Sequence, residues 1–228
     1  VKPNHMHVHL SPPCTTLSKA QRDKRNVAHG LAYLCDSLEF VRRENTKSWS
    51  IETVDTPLVQ DCLRRFQETH PDFKLSWVVV DAAEYGCPST RVRLIAGNPT
   101  LIRTLRQIPV SRVSVADAFR RTGTVTLPAE YIKNNTRTSA NRPCVRSVSK
   151  QCHTQTASHP LIWCTAEGDT VRCLNVRETA IIMGFPLDWM LPTSSRAAIR
   201  AIGNAVPPPL AAAIMSAAVQ CFNQTSNS

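Results

Sequence analysis

The sequence predicts an α/β fold, because stretches with strand character alternate with stretches of helical periodicity along its 228 residues. Residues 77–80 form an apolar, β-branched run that is typical of a strand buried on both faces. Residues 94–96 are predicted to be the hairpin partner of that strand. With 42% hydrophobic and 19% charged residues, a chain of this length has the composition of a folded protein with a sizeable core.

The part of the chain before residue 77 is predicted to hold two further strands and two helices. In order, these are a strand over residues 6–10, a helix over 24–38, a strand at 40–41 and a helix over 57–68. Pro57 suits the first position of the last of these helices, because its φ angle is already helical. Pro12 and Pro13 stiffen the turn after the first strand, at the end of which Cys14 lies.

The second half of the chain predicts an irregular region between helices. Residues 121–160 are polar, basic and rich in Thr, Ser and Asn without clear periodicity, and they predict an irregular lobe inserted in the domain. The helices predicted around this lobe cover residues 114–119, 176–183, 194–201 and 210–221.

The composition favours an intracellular protein with a polyanionic partner. Lys and Arg number 27 against 17 Asp and Glu, and the formal net charge of +10 indicates either nucleic acid binding or a merely basic surface. Nine cysteines are an odd number and no secretory signal peptide opens the chain, so we expect mostly reduced thiols. No apolar run approaches the ~18 residues of a membrane span, so no membrane partner is expected. The oligomeric state is not indicated.

Cys14 and Glu44 are the first pair of residues whose chemistry suggests a reaction. A cysteine thiolate can attack an electron-poor ring carbon, and a carboxylic acid beside it can protonate a ring nitrogen. Arg91 and Arg93 would favour the thiolate through their positive charge. Each of these residues alone is more typical of packing or of a solvated turn, so the order of the motifs along the chain decides between the two interpretations.

Five segments occur in the order of the motifs of the cytosine-C5 DNA methyltransferases, and the chain resembles that family over nearly its whole length. The segments are residues 11–14, 44–45, 85–93, 174–186 and 202–208. The Ser-Pro-Pro-Cys form of the first segment is similar to that of compact phage and large-DNA-virus members, which would work in the nucleus or cytoplasm of a host cell. The resemblance implies a Rossmann-like domain that uses S-adenosylmethionine to methylate C5 of cytosine in double-stranded DNA.

The resemblance also implies a role for individual residues. Cys14 would add to C6 of a cytosine swung out of the duplex, and Glu44 would bind the N3 edge of that base. Asn45 would orient the loop, while Arg91 and Arg93 would hold the base and the adjacent backbone.

Four further residues take implied roles in binding or bracing. Asn204 and Val206 would form part of the cofactor floor. Ser89 stands where the family usually has Gln, and it would keep a donor for DNA at shorter reach. Arg177 and Glu178 would be structural, bracing the Glu44 loop. The implied organisation is a catalytic domain in two parts, residues 1–97 and 174–228, with a small target-recognition lobe over 98–173.

The upstream end departs from the family pattern. Family members begin with a strand and a Phe-x-Gly-x-Gly turn that meets the cofactor, and no such glycine turn precedes or follows Cys14 here. We therefore expect an N-terminally truncated domain that lacks the cofactor-binding motifs. A non-catalytic DNA-binding remnant of such an enzyme and an RNA cytosine-C5 methyltransferase are the alternatives to an active DNA methyltransferase.

Two groups of residues invite a metal-site interpretation that the sequence does not favour. His5, His7 and His9 share one strand face, and the polar edge of a strand explains that spacing. The six Cys and His residues between positions 144 and 173 form no tight C-x-x-C pair, so no metal is predicted. Seven basic residues of the same lobe are predicted to contact phosphate. They are Arg112, Arg120, Arg121, Lys133, Arg137, Arg142 and Arg146.

Overall fold

The computed structural model describes residues 7–17, 26–44, 46, 48–123, 126–137 and 143–226. The chain divides into two compact units. The first unit contains residues 1–80, 92–108 and 212–228, and the second contains 81–91 and 109–211. These limits differ from the predicted domain boundaries at 97/98 and 173/174, and the assignment of target recognition to residues 98–173 stays a prediction. His5 and Asn45 lie outside the described residues.

The first unit is built on a mixed four-stranded sheet in the order β1-β2-β4-β3. Its elements are β1 (Val8–Leu10), α1 (Val27–Arg43), β2 (Trp49–Thr53), α2 (Pro57–Thr69), β3 (Ser76–Asp81), β4 (Val92–Gly97) and α3 (Pro99–Gln107). β1 runs parallel to β2, with Leu10 opposite Ile51, and β2 runs antiparallel to β4, with Glu52 opposite Ile95. The strands predicted at 6–10, 77–80 and 94–96 and the helix beginning at Pro57 are confirmed.

The core of this unit lies between the sheet and the helices α1 and α2. Leu34 and Leu38 of α1 and Leu63 of α2 are fully buried, and they belong to one cluster with Trp49 and Ile51 of β2. Alternate residues of β1, Val8 and Leu10, pack against the same cluster. Trp49 and Ile51 thus form the core face of β2, and Ser50 and Glu52 lie on its opposite face.

The predicted strand at residues 40–41 is wrong. These residues continue α1 for another turn, because Val41 follows Leu34 and Leu38 at helical spacing and is buried with them. Glu39 also bonds Arg42 and Arg43, which stabilises this last turn of the helix. The strand of this region is β2, in which all five residues are buried. This strand was not predicted from the sequence.

The second unit contains an antiparallel sheet that the sequence analysis described only as an irregular lobe. The strand order is β6-β5-β7-β8. The strands are β5 (Tyr131–Arg137), β6 (Pro143–Ser147), β7 (Ile162–Cys164) and β8 (Thr170–Cys173). β8 is exposed at all four residues, so its sequence carries no hydrophobic alternation that would indicate a strand. Trp163 of β7 is fully buried and meets Phe119 edge-on, with ring centroids 5.6 Å apart.

The helices predicted for the second half of the chain are confirmed. They are α4 (Val115–Arg121), α5 (Val176–Ile182), α6 (Ser195–Asn204) and α7 (Pro208–Ser226). Ser114 caps α4, since its side chain accepts a hydrogen bond from the Asp117 N–H at 3.0 Å. The described segment Ser195–Asn223 is long and apolar enough to cross a membrane, but it is divided between α6 and α7, and such a segment is weak evidence.

Candidate active site

Cys14 lies on a rigid turn at the carboxyl end of β1. Pro12 and Pro13 precede it, and the Leu17 N–H donates to the Cys14 carbonyl at 3.0 Å to close a 3₁₀ turn over Thr15–Leu17. The Cys14 side chain is half-buried and packs against the core of the first unit. Because β1 and β2 are parallel, the turn lies at the carboxyl edge of the strand pair, where α/β proteins place their sites.

A glycine of α1 allows the helix to approach this turn closely. A Cβ atom on Gly30 would lie 2.4 Å from Thr16 Oγ1 and 2.7 Å from Leu17 Cγ. Side chains larger than hydrogen would therefore push the 3₁₀ turn away from α1. The position of Cys14 is thus determined by the prolines before it and by the packing of Leu17 after it.

Glu52 is the buried carboxylate next to this turn. Its exposed fraction is 3%, and it lies near the carboxyl end of β2. The Ser11 hydroxyl donates to Glu52 Oε2 at 2.6 Å, and Arg93 Nε lies 2.8 Å from Glu52 Oε1. Both carboxylate oxygens are engaged, so the group is held in one orientation between the Cys14 turn and β4.

Glu44, which the sequence predicted for the role of the acid, lies elsewhere. It is the exposed residue that ends α1, and its N–H donates to the Phe40 carbonyl at 3.0 Å. The structure brings Glu52, and not Glu44, to Arg93. Because α1 continues through Arg43, where a strand was predicted, the strand with the buried carboxylate lies at residues 49–53, and the role of Glu44 stays a prediction. The signal that the sequence contained was the alternation of apolar and polar residues over 49–52, which is typical of a strand with one apolar face.

A ladder of histidine and serine side chains occupies the same face of β2 as Glu52. His7 bonds Ser48 through Nδ1 at 2.7 Å and Ser50 through Nε2 at 2.9 Å, and His9 Nδ1 bonds Ser50 at 2.7 Å. Burial and the neighbouring His9 lower the pKa of His7 to about 4. Burial also lowers the pKa of His9, although Glu52 partly opposes this. The serines thus hold the histidines, and within the described ranges no three His, Cys, Asp or Glu side chains form a metal-ligand group.

The two arginines of the segment 85–93 have different partners. Arg93 belongs to the first unit and pairs with Glu52, with its side chain 12% exposed. Arg91 belongs to the second unit, is 3% exposed, and donates to the carbonyls of Gln155 at 3.1 Å and Gly203 at 2.8 Å. The role predicted for Arg91 in holding the base does not fit this burial, because its two terminal nitrogens bond the protein backbone.

The predicted cofactor residues follow directly after the carbonyl that Arg91 binds. Asn204 is the exposed last residue of α6, and Val206 is half-buried in the link to α7. Gly203 is required before them, since a Cβ atom there would lie 2.4 Å from the Thr156 carbonyl oxygen. The link between α6 and α7 is therefore anchored within the second unit.

Ser89 is fully buried in the second unit. Its hydroxyl lies 3.4 Å from Cys87 Sγ and donates to Met183 Sδ at 3.7 Å. A side chain with no exposed surface offers no donor to DNA, so the predicted contact does not fit this structure either. The residue packs the segment 85–91 against the end of α5.

Glu178 and Arg177 brace the second unit. Glu178 binds the Arg172 guanidinium at 2.6 and 2.8 Å, the Trp163 indole at 3.2 Å and the Asn175 N–H at 2.8 Å. Burial raises the pKa of Glu178, but these donors lower it more, so that its pKa lies below the usual range. Arg177 donates to the carbonyls of Leu187 and Trp189, both at 2.9 Å. These contacts lie within the second unit, and the bracing of the Glu44 loop by this pair stays a prediction.

Four of the seven basic residues predicted to contact phosphate bond the chain itself. Arg146 donates to the Cys152 carbonyl at 3.1 Å and to Thr90 Oγ1 at 3.3 Å. Lys133 Nζ donates to the Gly168 carbonyl at 2.6 Å. Arg112 pairs with Glu84 and Arg120 with Asp117. The phosphate contacts of all seven stay a prediction, and Arg142 lies outside the described residues.

The chain that carries this cysteine and this buried carboxylate is similar in sequence to one protein family. The family model for C-5 cytosine-specific DNA methylases matches residues 102–220, more than half of the chain. The chain belongs to this family. A search of curated proteins gives no match for this methylase.

Solved structures similar to this methylase are methyltransferases of low sequence identity. A DNA modification methyltransferase encoded within an E. coli prophage has a TM-score of 0.62 and 16% identity, covering 95% of this chain and 79% of that one. The S. pombe Dnmt2 methyltransferase has a TM-score of 0.57 and 12% identity, covering 96% and 79%. The Entamoeba histolytica methyltransferase EhMeth has a TM-score of 0.55 and 14% identity, covering 96% and 78%. This confirms the predicted Rossmann-like methyltransferase fold.

Proposed function

We propose that this methylase transfers a methyl group from S-adenosylmethionine to C5 of cytosine in double-stranded DNA, with Cys14 as the nucleophile and Glu52 as the acid. The observation that carries the proposal is the Glu52 carboxylate, held by Ser11 and Arg93 beside the Cys14 turn. Glu52 replaces Glu44 of the sequence-based prediction.

The chemistry of the two side chains is complementary. The Cys14 thiolate adds through Sγ to C6 of a cytosine that has left the duplex stack, and the protonated Glu52 carboxyl group donates its proton to N3. The electron pair of the C5–C6 double bond then resides at C5, which becomes nucleophilic. When C5 has taken an electrophile, a base removes the C5 proton, the C6–S bond breaks to release the Cys14 thiolate, and N3 returns its proton to Glu52.

Ser11 and Arg93 position the acid. The Ser11 hydroxyl donates to one carboxylate oxygen, and the Arg93 guanidinium forms an ion pair at the other. Ser11 is three residues before Cys14, so its bond to Glu52 fixes the distance between the nucleophile's turn and the acid. Arg93 keeps this buried carboxylate compensated by an opposite charge.

The residues of this chain fit the methyl donor only in part. Asn204 and Val206 are the residues proposed to touch it, and they lie on an anchored link. The seven glycines include no pair in G-x-G spacing. These residues therefore do not form the glycine turn whose backbone N–H groups meet the cofactor in the family pattern. S-adenosylmethionine supplies the methyl group when bound. Cys14 and Glu52 carry out the addition at C6 and the proton transfer at N3.

The proposal is tested by two measurements on the full chain. Release of tritium from C5 of labelled cytosine in duplex DNA requires only addition of Cys14 and protonation, whereas a denaturation-resistant adduct with 5-fluorocytosine DNA also requires methyl transfer. We expect tritium release that is lost in Cys14→Ser and retained in Cys35→Ser, a matched change at another cysteine of the first unit. The adduct is expected on addition of S-adenosylmethionine.

The outcomes separate the alternatives. Tritium release without an adduct would support the roles of Cys14 and Glu52 and reject methyl transfer by this chain. DNA binding that weakens with salt, without release or adduct, would reject the enzymatic proposal in favour of a DNA-binding remnant. Release from RNA and not from DNA would reject DNA as the substrate.

A further inference from the structure

Two cysteines that the proposed reaction does not use meet between α1 and α2. Cys35 Sγ and Cys62 Sγ are 3.4 Å apart. We infer that this pair is a site of reversible thiol modification, which reacts with small-molecule disulfides such as glutathione disulfide and closes into an intramolecular disulfide. The inference is independent of methyl transfer.

The pair is accessible from one side. Cys35 is exposed and Cys62 is half-buried. An open groove of about 420 Å³ lies beside the two thiols, and its lining is mainly apolar. The two cysteines line the groove together with Leu31, Leu58, Asp61 and Arg65. A small disulfide therefore has room to approach Cys35.

The charges at the groove suit an anionic thiol compound. Arg64 and Arg65 of α2 both lie near Asp61, at 3.3 and 2.9 Å, and the Arg65 side chain is 77% exposed. Arg65 lines the groove together with Asp61, and its exposed guanidinium at the rim can contact a carboxylate of an anionic thiol compound. Glutathione disulfide carries net negative charge at neutral pH, so this rim favours its approach.

The surroundings assign different roles to the two thiols. Burial and the adjacent Cys35 raise the pKa of Cys62 to about 12. Cys62 is therefore a thiol at neutral pH, and the exposed Cys35 is the one that attacks first. Once Cys35 carries a disulfide, it can no longer be ionised, and the formation of a thiolate at Cys62 becomes easier.

The reaction takes two exchanges, and its atoms and electrons balance. The Cys35 thiolate attacks one sulfur of glutathione disulfide, forming a mixed disulfide and expelling one glutathione thiolate. Cys62 loses its proton to solvent base and attacks Cys35 Sγ, expelling the second glutathione. Two protein thiols are oxidised and one glutathione disulfide is reduced to two glutathione thiols. Closing the bond shortens the existing sulfur separation and requires a small approach of α1 and α2.

The disulfide would enclose the strand that carries the acid. β2, with Glu52, lies between Cys35 and Cys62 in the sequence. A cross-link across this segment reduces the entropy of the unfolded chain, so the oxidised protein is expected to melt several degrees above the reduced one.

The site is tested by treating the full chain with glutathione disulfide and analysing its tryptic peptides. Cys35 and Cys62 fall in separate peptides, residues 26–42 and 48–64, each with a single cysteine. The expected product is a linked pair of these peptides, with the loss of two hydrogen atoms and full reversal by dithiothreitol. The melting temperature is measured before and after oxidation.

Two matched variants assign the roles. Cys62→Ser is expected to stop at a glutathione adduct on Cys35, and Cys35→Ser is expected to leave Cys62 unmodified. A wild-type protein that stops at the mixed disulfide, or a disulfide that joins other cysteines before this pair, would overturn the inference. Modification of Cys62 in Cys35→Ser at the wild-type rate would overturn the proposed order of attack. None of these results depends on whether the chain methylates DNA.

Discussion

The two compact units use residues of the family motifs in different ways. In the first unit, Ser11 and Arg93 both bind the Glu52 carboxylate beside the Cys14 turn, and these residues form the candidate active site. In the second unit, Arg91 and Ser89 are buried and bond the protein itself. Arg91 and Arg93 are only two positions apart, yet one bonds backbone carbonyls and the other a carboxylate. Two arginines of one motif segment can therefore differ in task according to the unit to which each belongs.

The largest expected effect comes from removing the acid of the first unit. Glu52→Gln is expected to slow tritium release from C5 of cytosine by about 10²–10⁴-fold, because the amide cannot hold the proton on N3. Glu44→Gln should change the rate by less than about twofold, as expected for an exposed residue away from the site. Rates are measured on duplex DNA, with circular dichroism to show that both variants are folded. A large loss in Glu44→Gln with little loss in Glu52→Gln would reverse the assignment.

A stability measurement tests whether Arg91 serves the fold. Arg91→Met is expected to lower the free energy of unfolding by about 2–3 kcal/mol, because the carbonyls of Gln155 and Gly203 lose a charged donor. Arg121→Met, a change at an exposed cation of the same unit, should cost less than about 0.5 kcal/mol. Urea titration gives both values. If Arg91→Met unfolded like the wild type but lost DNA binding, the sequence-based role for Arg91 would be restored.

The histidine ladder gives the first unit a dependence on pH. His7 has an ordinary pKa of 6.5 that falls to about 4 on folding, and the pKa of His9 also falls. The unfolded chain therefore binds more protons, and stability that is complete above pH 6.5 is lost as the pH falls toward 4. For His7 the loss approaches about 1.4 kcal/mol per pH unit in this window, and His9 adds a loss in the same direction.

Urea titrations at pH 7.5, 6.5 and 5.5 measure this slope. The double variant His7→Gln, His9→Gln should show a shallower slope than the wild type. His29→Gln, at an exposed histidine of α1, should keep the wild-type slope. Equal slopes in all three proteins would show that the ladder does not titrate on unfolding.

The smallest effect is expected at Ser89. Because the hydroxyl contacts only sulfur atoms in its described surroundings, Ser89→Ala should cost less than about 1 kcal/mol of folding free energy. The affinity for duplex DNA, measured by fluorescence anisotropy at fixed salt, should be unchanged. A tenfold loss of affinity, about 1.4 kcal/mol, would show that Ser89 reaches DNA as the sequence suggested.

Much of the fold follows from local signals in the sequence. Pro57 begins α2, Ser114 caps α4, and the Pro12-Pro13 turn ends β1, because each of these residues fixes the backbone of its own neighbourhood. The extension of α1 to Arg43 was missed although Val41 continues the helical spacing of Leu34 and Leu38, because a short apolar pair such as Phe40-Val41 also suits a strand. The sheet of the second unit was missed because exposed strands such as β8 show no alternation.

The sequence by itself indicated the proposed nucleophile, its turn and the family to which the chain belongs. Only the tertiary structure decided which carboxylate accompanies Cys14. That choice depends on the register of β1 with β2 and of β2 with β4, which brings Ser11, Glu52 and Arg93 together from three distant segments. Contacts of this kind arise from strand pairing between remote residues, and a local pattern such as Glu-Asn after a helix contains no information about them.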